Sequence, residues 1–416
     1  RGSRRNSRLI KSPFKELPRE VSILVAASFF VAVGFGIVMP AIPVFAKSFG
    51  VNNAAIGLMV SAFAITRFAS GLISGTLVDK FGERAVFSSG VFMVSLFTFL
   101  AGIAQNYEQL LFFRAAGGLG SSMFSVAASS VILRSVSDDQ RGQAQSVYQG
   151  SFIVGGMAGP AIGGLLSVIS LRAPFFVYSI LLFCSGVVAL FFLKGDSIGI
   201  KVKSDSTESA TTIREALAMP PYRIALVLAF IGSWVFFGMR ASILPVFVTE
   251  ELKSSTAVVG YGFAISAIVQ GAILLKAGRF SDLKGRRAAA IIGANIVFAG
   301  VLVLTFATHA WMFLLSMIIL GFGGAFLSTT PASIVGDIIK GKGGKVIAIF
   351  QMAGDAGMIF GPIIIGWISD VYSYRTAFGL SALIFTVVLI LVYRIPETRN
   401  VEGPQVRNLK PLDEDL

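Results

Sequence analysis

The sequence predicts an all-α membrane protein of twelve transmembrane helices in two pseudo-symmetric six-helix bundles. Composition, the count of apolar segments and an internal repeat predict it. Hydrophobic residues fill 55% of 416 positions and charged residues 14%, with a mean hydropathy of +0.79. A soluble chain carries about 25% charge. Twelve segments meet the roughly 20 apolar residues that a bilayer core needs: 21–45, 55–78, 85–104, 109–134, 142–168, 174–193, 222–247, 256–277, 288–307, 310–336, 345–369 and 374–394. The repeat shows in two glycine-rich charged turns, Gly75-Thr-Leu-Val-Asp79-Lys80-Phe-Gly82-Glu83-Arg84 and Gly278-Arg-Phe-Ser-Asp282-Leu-Lys284-Gly285-Arg286-Arg287, 203 residues apart. Pro43 matches Pro245, and Gly155-xxx-Gly159-Pro160 matches Gly357-xxx-Gly361-Pro362, both 202 residues on.

Each half should therefore form one bundle, 21–194 and 222–394. A polar cytoplasmic linker, 195–221, joins them, between a basic tail (1–20) and a C-terminal tail (395–416). Internal duplication of this kind is characteristic of secondary transporters. Charge sets the orientation. Of 35 lysines and arginines, one set of loops carries only Lys47, Arg172, Lys253 and Arg375, while Arg67, Arg114 and Arg240 fall inside spans. The rest lie on the side of the termini, seven of them between Arg1 and Arg19, so both ends are expected in the cytoplasm. The net charge of +13 is then a positive-inside signal, with no nucleic-acid partner implied. The single cysteine, Cys184, and single histidine, His309, leave no basis for a disulfide framework or a metal site, and no cofactor is expected.

Three motifs carry a family resemblance. Gly75-x-Leu77-x-Asp79-Lys80-x-Gly82-x-Arg84 follows span 2 and resembles motif A of the major facilitator superfamily, departing at Glu83, where a basic residue is usual. Leu110-x-x-x-Arg114-x-x-Gly117-Gly118-x-Gly120 in span 4 resembles motif B, with Gly117 where glutamine is common. Gly155-x-x-x-Gly159-Pro160-x-x-Gly163-Gly164 in span 5 matches motif C of the twelve-helix drug:proton antiporters throughout. The resemblance implies that Asp79 meets the N-terminus of span 11 and locks the outward-open state, with Asp282 the weaker second-half counterpart. It also implies that motif C seals the cavity and goes with export. Physically, Gly71 and Gly75 permit a close helix approach, Asp79 carries the charge a helix N-terminus favours, and Pro160 removes a backbone donor.

Ionisable groups at bilayer depth are functional candidates. Arg67 lies 11 residues above the cytoplasmic end of span 2, about 16 Å at helical rise, and Asp355 lies 10 residues into span 11, about 15 Å. An Arg67–Asp355 ion pair would remove two buried charges, either as structural glue between the halves or with Asp355 as the coupled proton site. Span 1 lacks the acidic residue many drug antiporters carry there. By resemblance Arg114 joins the proton relay; a helix-fixing arginine is the alternative. Arg240 either snorkels or lines a vestibule for a polar or anionic substrate. Gln149 and Gln351 share the 202-residue offset, and Phe35, Met39 and Trp234 could line an apolar pocket, although ordinary packing accounts for each of these singly.

No Ser/His/Asp constellation, metal cluster or phosphate loop supports an enzyme. Two functions remain: proton-coupled export of small amphipathic or drug-like compounds by alternating access, or transport of an anionic metabolite or lipid. Either way the partners are a small-molecule substrate, protons and membrane lipids. The protein is expected to act as a monomer in the plasma (inner) membrane.

Overall fold

The computed structural model describes residues 18–135, 141–193, 212–338 and 344–398, and these are helical almost throughout. Among the described residues, ten helices are long and apolar enough to cross a membrane. The pair Asn53–Ala69 and Ile73–Phe81, bent by 51°, makes an eleventh span, and the 29-residue helix Arg141–Ile169 lies in the place of span 5. The protein is thus an integral multi-pass membrane protein.

Several spans break where local chemistry demands it. Span 1 runs Arg19–Val38, turns at Met39 and Pro40, and resumes as Ala41–Lys47. A proline lacks the N–H a continuing helix needs. Span 2 breaks at Ser70 between Asn53–Ala69 and Gly71–Phe81. Span 7 runs Pro220–Ser233, widens into a π-helix over Trp234–Ile243, and ends as Leu244–Glu250. The ring of Pro245 crowds the carbonyl one turn before it, and the widened turn precedes it directly. Span 10 divides into Ala310–Leu327 and Thr330–Ile338. The charged turns close on Gly82 (φ 80°) and Gly285 (φ 107°), a backbone region that favours glycine. The last part of the expected linker forms a helix, Ile213–Ala218, started by a reciprocal Thr212–Glu215 capping box.

Each half builds its own core. Val21, Leu24, Phe87, Leu110, Phe175 and Leu182 belong to one cluster, and Tyr222, Phe263, Phe313, Phe378 and Phe385 to the other. Among the buried residues, two cross over: Met39 of span 1 lies in the second core, and Val246 of span 7 in the first. Within the halves, span 1 packs on spans 5 and 6, and span 7 on span 11. The halves meet mainly along two seams, span 2 with span 11 and span 5 with span 8. We call the face bearing residues 18 and 398 proximal and the opposite face distal.

Candidate functional site

Motif C holds its helix against the backbone of span 1. A Cβ at Gly155 would lie 2.7 Å from the Ala32 Cβ and 3.0 Å from the Phe29 carbonyl. At Gly159 it would lie 2.6 Å from the Val33 carbonyl, and at Gly163 it would overlap the Ile37 carbonyl. Pro160 lies within the helix, its Cδ 3.1 Å from a Cβ built on Gly36. The second half repeats the arrangement: a Cβ on Gly357 would overlap the Phe230 carbonyl, and one on Gly361 would lie 3.2 Å from the Trp234 Cα. The spacing of four residues puts each set on one helix face, which allows backbone-to-backbone approach.

The seams close at their distal ends. Between spans 2 and 11, a Cβ on Gly57 would overlap the Pro362 carbonyl, and Ser61 Oγ donates to the Ile359 carbonyl at 2.6 Å. Between spans 5 and 8, a Cβ on Gly164 would lie 2.7 Å from the Gly260 Cα. Nothing lies within 4 Å of a Cβ built on Gly71 or Gly75, in the proximal half of span 2. The close approach those glycines permit is absent in this state, which is open toward the proximal face. Asp79 is exposed close to the turn there, and Arg84 Nε donates to the Leu190 carbonyl at 2.7 Å. In the repeat, Asp282 and Asp337 both pair with Arg286.

Arg67 and Asp355 face the same region but do not form the contact ion pair expected of them. Arg67 lies in the last turn of the distal segment of span 2, just before the break at Ser70, and is exposed. Asp355 is half-buried, and the Arg67 charge reaches both it and Tyr148 of span 5. Arg114 lies 4.7 Å from the Phe63 ring centroid, in a small pocket lined also by Phe97, Thr98, Phe113 and Gly117. Arg240, 9% exposed, sits between the rings of Phe236 and Phe263 at 5.3 and 5.1 Å, with one long hydrogen bond, Nη2 to the Phe263 carbonyl at 3.4 Å. The Nε of each of these two arginines has no hydrogen-bond partner.

The proposed cavity wall is only partly assembled. Gln351 is exposed, and Phe35 packs against both cores. Met39 (6% exposed) and Trp234 (4%) are core residues in this state, and the Trp234 indole donates to Ser381 Oγ at 3.1 Å. Gln149 lies on the span 5 helix, with its side chain outside the described residues. Sequence reading assigned no role to Asp370. Its carboxylate accepts from the backbone N–H of Asn53 at 2.8 Å and of Ala54 at 2.7 Å. The signal was a carboxylate ending span 11 opposite the Asn52 cap that opens span 2.

Comparisons with known proteins agree with this architecture. The chain is 26% identical over 388 residues to "Multidrug resistance protein 1" of Bacillus subtilis (strain 168), covering 90% of this chain and 96% of that one. It is 26% identical over 317 residues to "Multidrug resistance protein MdtG" of Salmonella choleraesuis (strain SC-B67), covering 74% and 77%. A solved bacterial homologue of the human lysosomal transporter Spinster, inward-facing and unoccupied, superposes with a TM-score of 0.73 at 15% identity, over 90% of this chain and 96% of that one. The Major Facilitator Superfamily matches at residues 24–242 and 226–413, and the chain belongs to that superfamily of transporters.

Proposed function

We propose that the protein is a secondary active transporter that exports small amphipathic or drug-like compounds by alternating access, exchanging them for protons. The observation that carries this reading is the packing of the motif C glycines onto span 1, repeated by span 11 on span 7, around a state closed distally. The names of the multidrug-resistance relatives support the substrate class. Asp355, half-buried with Arg67 and Tyr148 in the same field, is the proposed proton carrier. As spans 2 and 11 part and close, the distance to Arg67 changes, and with it the ease of protonation. Arg114 is proposed as its partner in the relay. The protein works as a monomer in the plasma membrane, surrounded by lipid, with both termini cytoplasmic and the distal face outside.

Dye efflux from proteoliposomes tests the reading: an imposed pH gradient should drive it and an uncoupler should abolish it. Flux indifferent to both would remove proton coupling. Cysteines at Ser204 and Lys253 test orientation in intact cells. Only Lys253 should label from outside; equal labelling would overturn the topology. The two guanidiniums whose Nε lacks a partner favour a second reading, transport of an anionic metabolite or lipid, which predicts preference for negatively charged ligands.

A further inference from the structure

The distal rim contains a chain of polar contacts that crosses between the halves three times. Lys47, ending span 1, lies 3.7 Å from the carboxylate of Glu250, ending span 7. The Tyr374 hydroxyl, opening span 12, reaches the same carboxylate at 2.9 Å and the Asn53 side chain at 3.3 Å. Asn53 begins the span 2 helix, and its N–H and that of Ala54 are both taken by Asp370, the penultimate residue of the span 11 helix. Asn52 caps the next amide, that of Ala55, at 3.0 Å. Three of the helix's free N–H groups are thus satisfied, two of them from the other half of the molecule.

We infer that Asp370 is a gating residue of the transport cycle: its carboxylate on the span 2 N-terminus holds the distal face closed. A carboxylate that accepts two N–H bonds at a helix N-terminus is bound by charge-assisted hydrogen bonds and by the positive end of the helix dipole. Neither contact survives separation of spans 2 and 11, so all of this stabilisation belongs to the distal-closed state. Asp370 is exposed, so water replaces the contacts when the face opens and the bias is moderate, small enough for substrate binding to reverse. The repeat gives no second copy: 202 residues earlier stands Val168, and Ser255, which precedes span 8, makes no side-chain cap bond. A single latch acts on one seam.

The proposal rests on alternating access and on neither the substrate nor proton coupling, so its test needs no substrate. Spin labels are placed distally at Gln105 and Thr308, or proximally at Lys80 and Lys284, in a Cys184→Ala background in lipid nanodiscs, and distances are measured by pulsed electron resonance. Asp370→Asn should lower the ratio of distal-closed to distal-open molecules about tenfold, equal to about 1.4 kcal/mol, lengthening the distal distance and shortening the proximal one together. Asp370→Glu should restore part of the closed population. Asn53→Pro removes one donated N–H where the preceding Asn52 (ψ 171°) already has the backbone a proline requires. Compared with Asn53→Ala, it should shift the ratio in the same direction, and Asp370→Asn added to it should do less than it does alone, because only the Ala54 N–H contact is left to weaken. Unchanged distances in Asp370→Asn would overturn the proposal, as would fully additive effects in the double variant. Broadening of both distances without the reciprocal change would make Asp370 merely structural and overturn it too.

Discussion

The two seams between the halves do the same job with different chemistry. Among the described residues, spans 5 and 8 meet by close backbone approach at glycine: Gly164 lies against Gly260 and the Thr256 carbonyl, Gly260 lies against the Pro160 carbonyl, and Val168, 61% exposed, stands beyond them. Spans 2 and 11 also use glycine, at Gly57 and Gly366, but add the Ser61 hydrogen bond, the Asp370 carboxylate and the field between Arg67 and Asp355. Duplication preserved close backbone approach at both seams, while charge was placed on one. Glycine contacts are short-ranged and have no sign, so the span 5 and 8 seam can serve as a pivot. The seam that carries charge can be switched by protons or by competing dipoles.

Asp355→Asn breaks that comparison most severely, because it removes the only ionisable carboxylate proposed to change state on the charged seam. It should abolish flux driven by a pH gradient while leaving substrate binding, read by ligand-induced thermal stabilisation, in place. Full gradient-driven flux in the variant would send the proton elsewhere.

Steric substitution should treat the seams alike where charge does not. Gly57→Ala and Gly164→Ala each push a Cβ into backbone of the other half. Each should cost the distal-closed state about 1–3 kcal/mol. The distal label pair should report a similar opening for both. A large effect at Gly57 with none at Gly164 would show that the span 5 and 8 seam does not bear on closure.

Much of this was legible in the chain. The membrane-spanning helices, the halves and the motif C faces follow from hydropathy and from glycine at four-residue spacing, and both signals are local. The breaks at Pro40 and before Pro245 and the Thr212–Glu215 cap were also locally encoded, though hydropathy averages over them. What could not be read is which partner a side chain finds across the seams. Arg67 and Asp355 have matching depths, yet in this state they do not close into contact, because depth along a helix does not specify the separation between halves. Met39 and Trp234 could be read by type as cavity wall or as packing; in this state both are packed, Trp234 in the core of its own half and Met39 through the crossover of span 1 into that core.

The charged turns allow a finer comparison. Asp79→Asn should lower transport about tenfold and shift molecules further toward the proximal-open state, since it weakens the contact proposed to lock the opposite one. Distal reporter cysteines of unchanged accessibility would count against it. Asp282→Asn should change transport by about twofold or less, because Arg286 keeps Asp337 as a second partner and Asp282 is largely exposed.

The smallest effect belongs to Ser61. Its hydroxyl is buried and donates to the Ile359 carbonyl across the charged seam. Ser61→Ala removes the donor, but the Ile359 carbonyl lies within a continuous helix and keeps its backbone partner, so no acceptor is orphaned. The loss should therefore fall at the low end for a neutral hydrogen bond, about 0.5 kcal/mol, or roughly a twofold fall in the distal-closed ratio. Ser74 supplies the control. Its hydroxyl bonds to Ser122 at 3.0 Å, equally buried, but both residues belong to the first half. Ser74→Ala should lower thermal stability by a similar amount and leave the distal and proximal distances where they were. If Ser74→Ala moved those distances as Ser61→Ala does, the hydroxyls would be acting through general stability, and the charged seam would have no privileged place in closure.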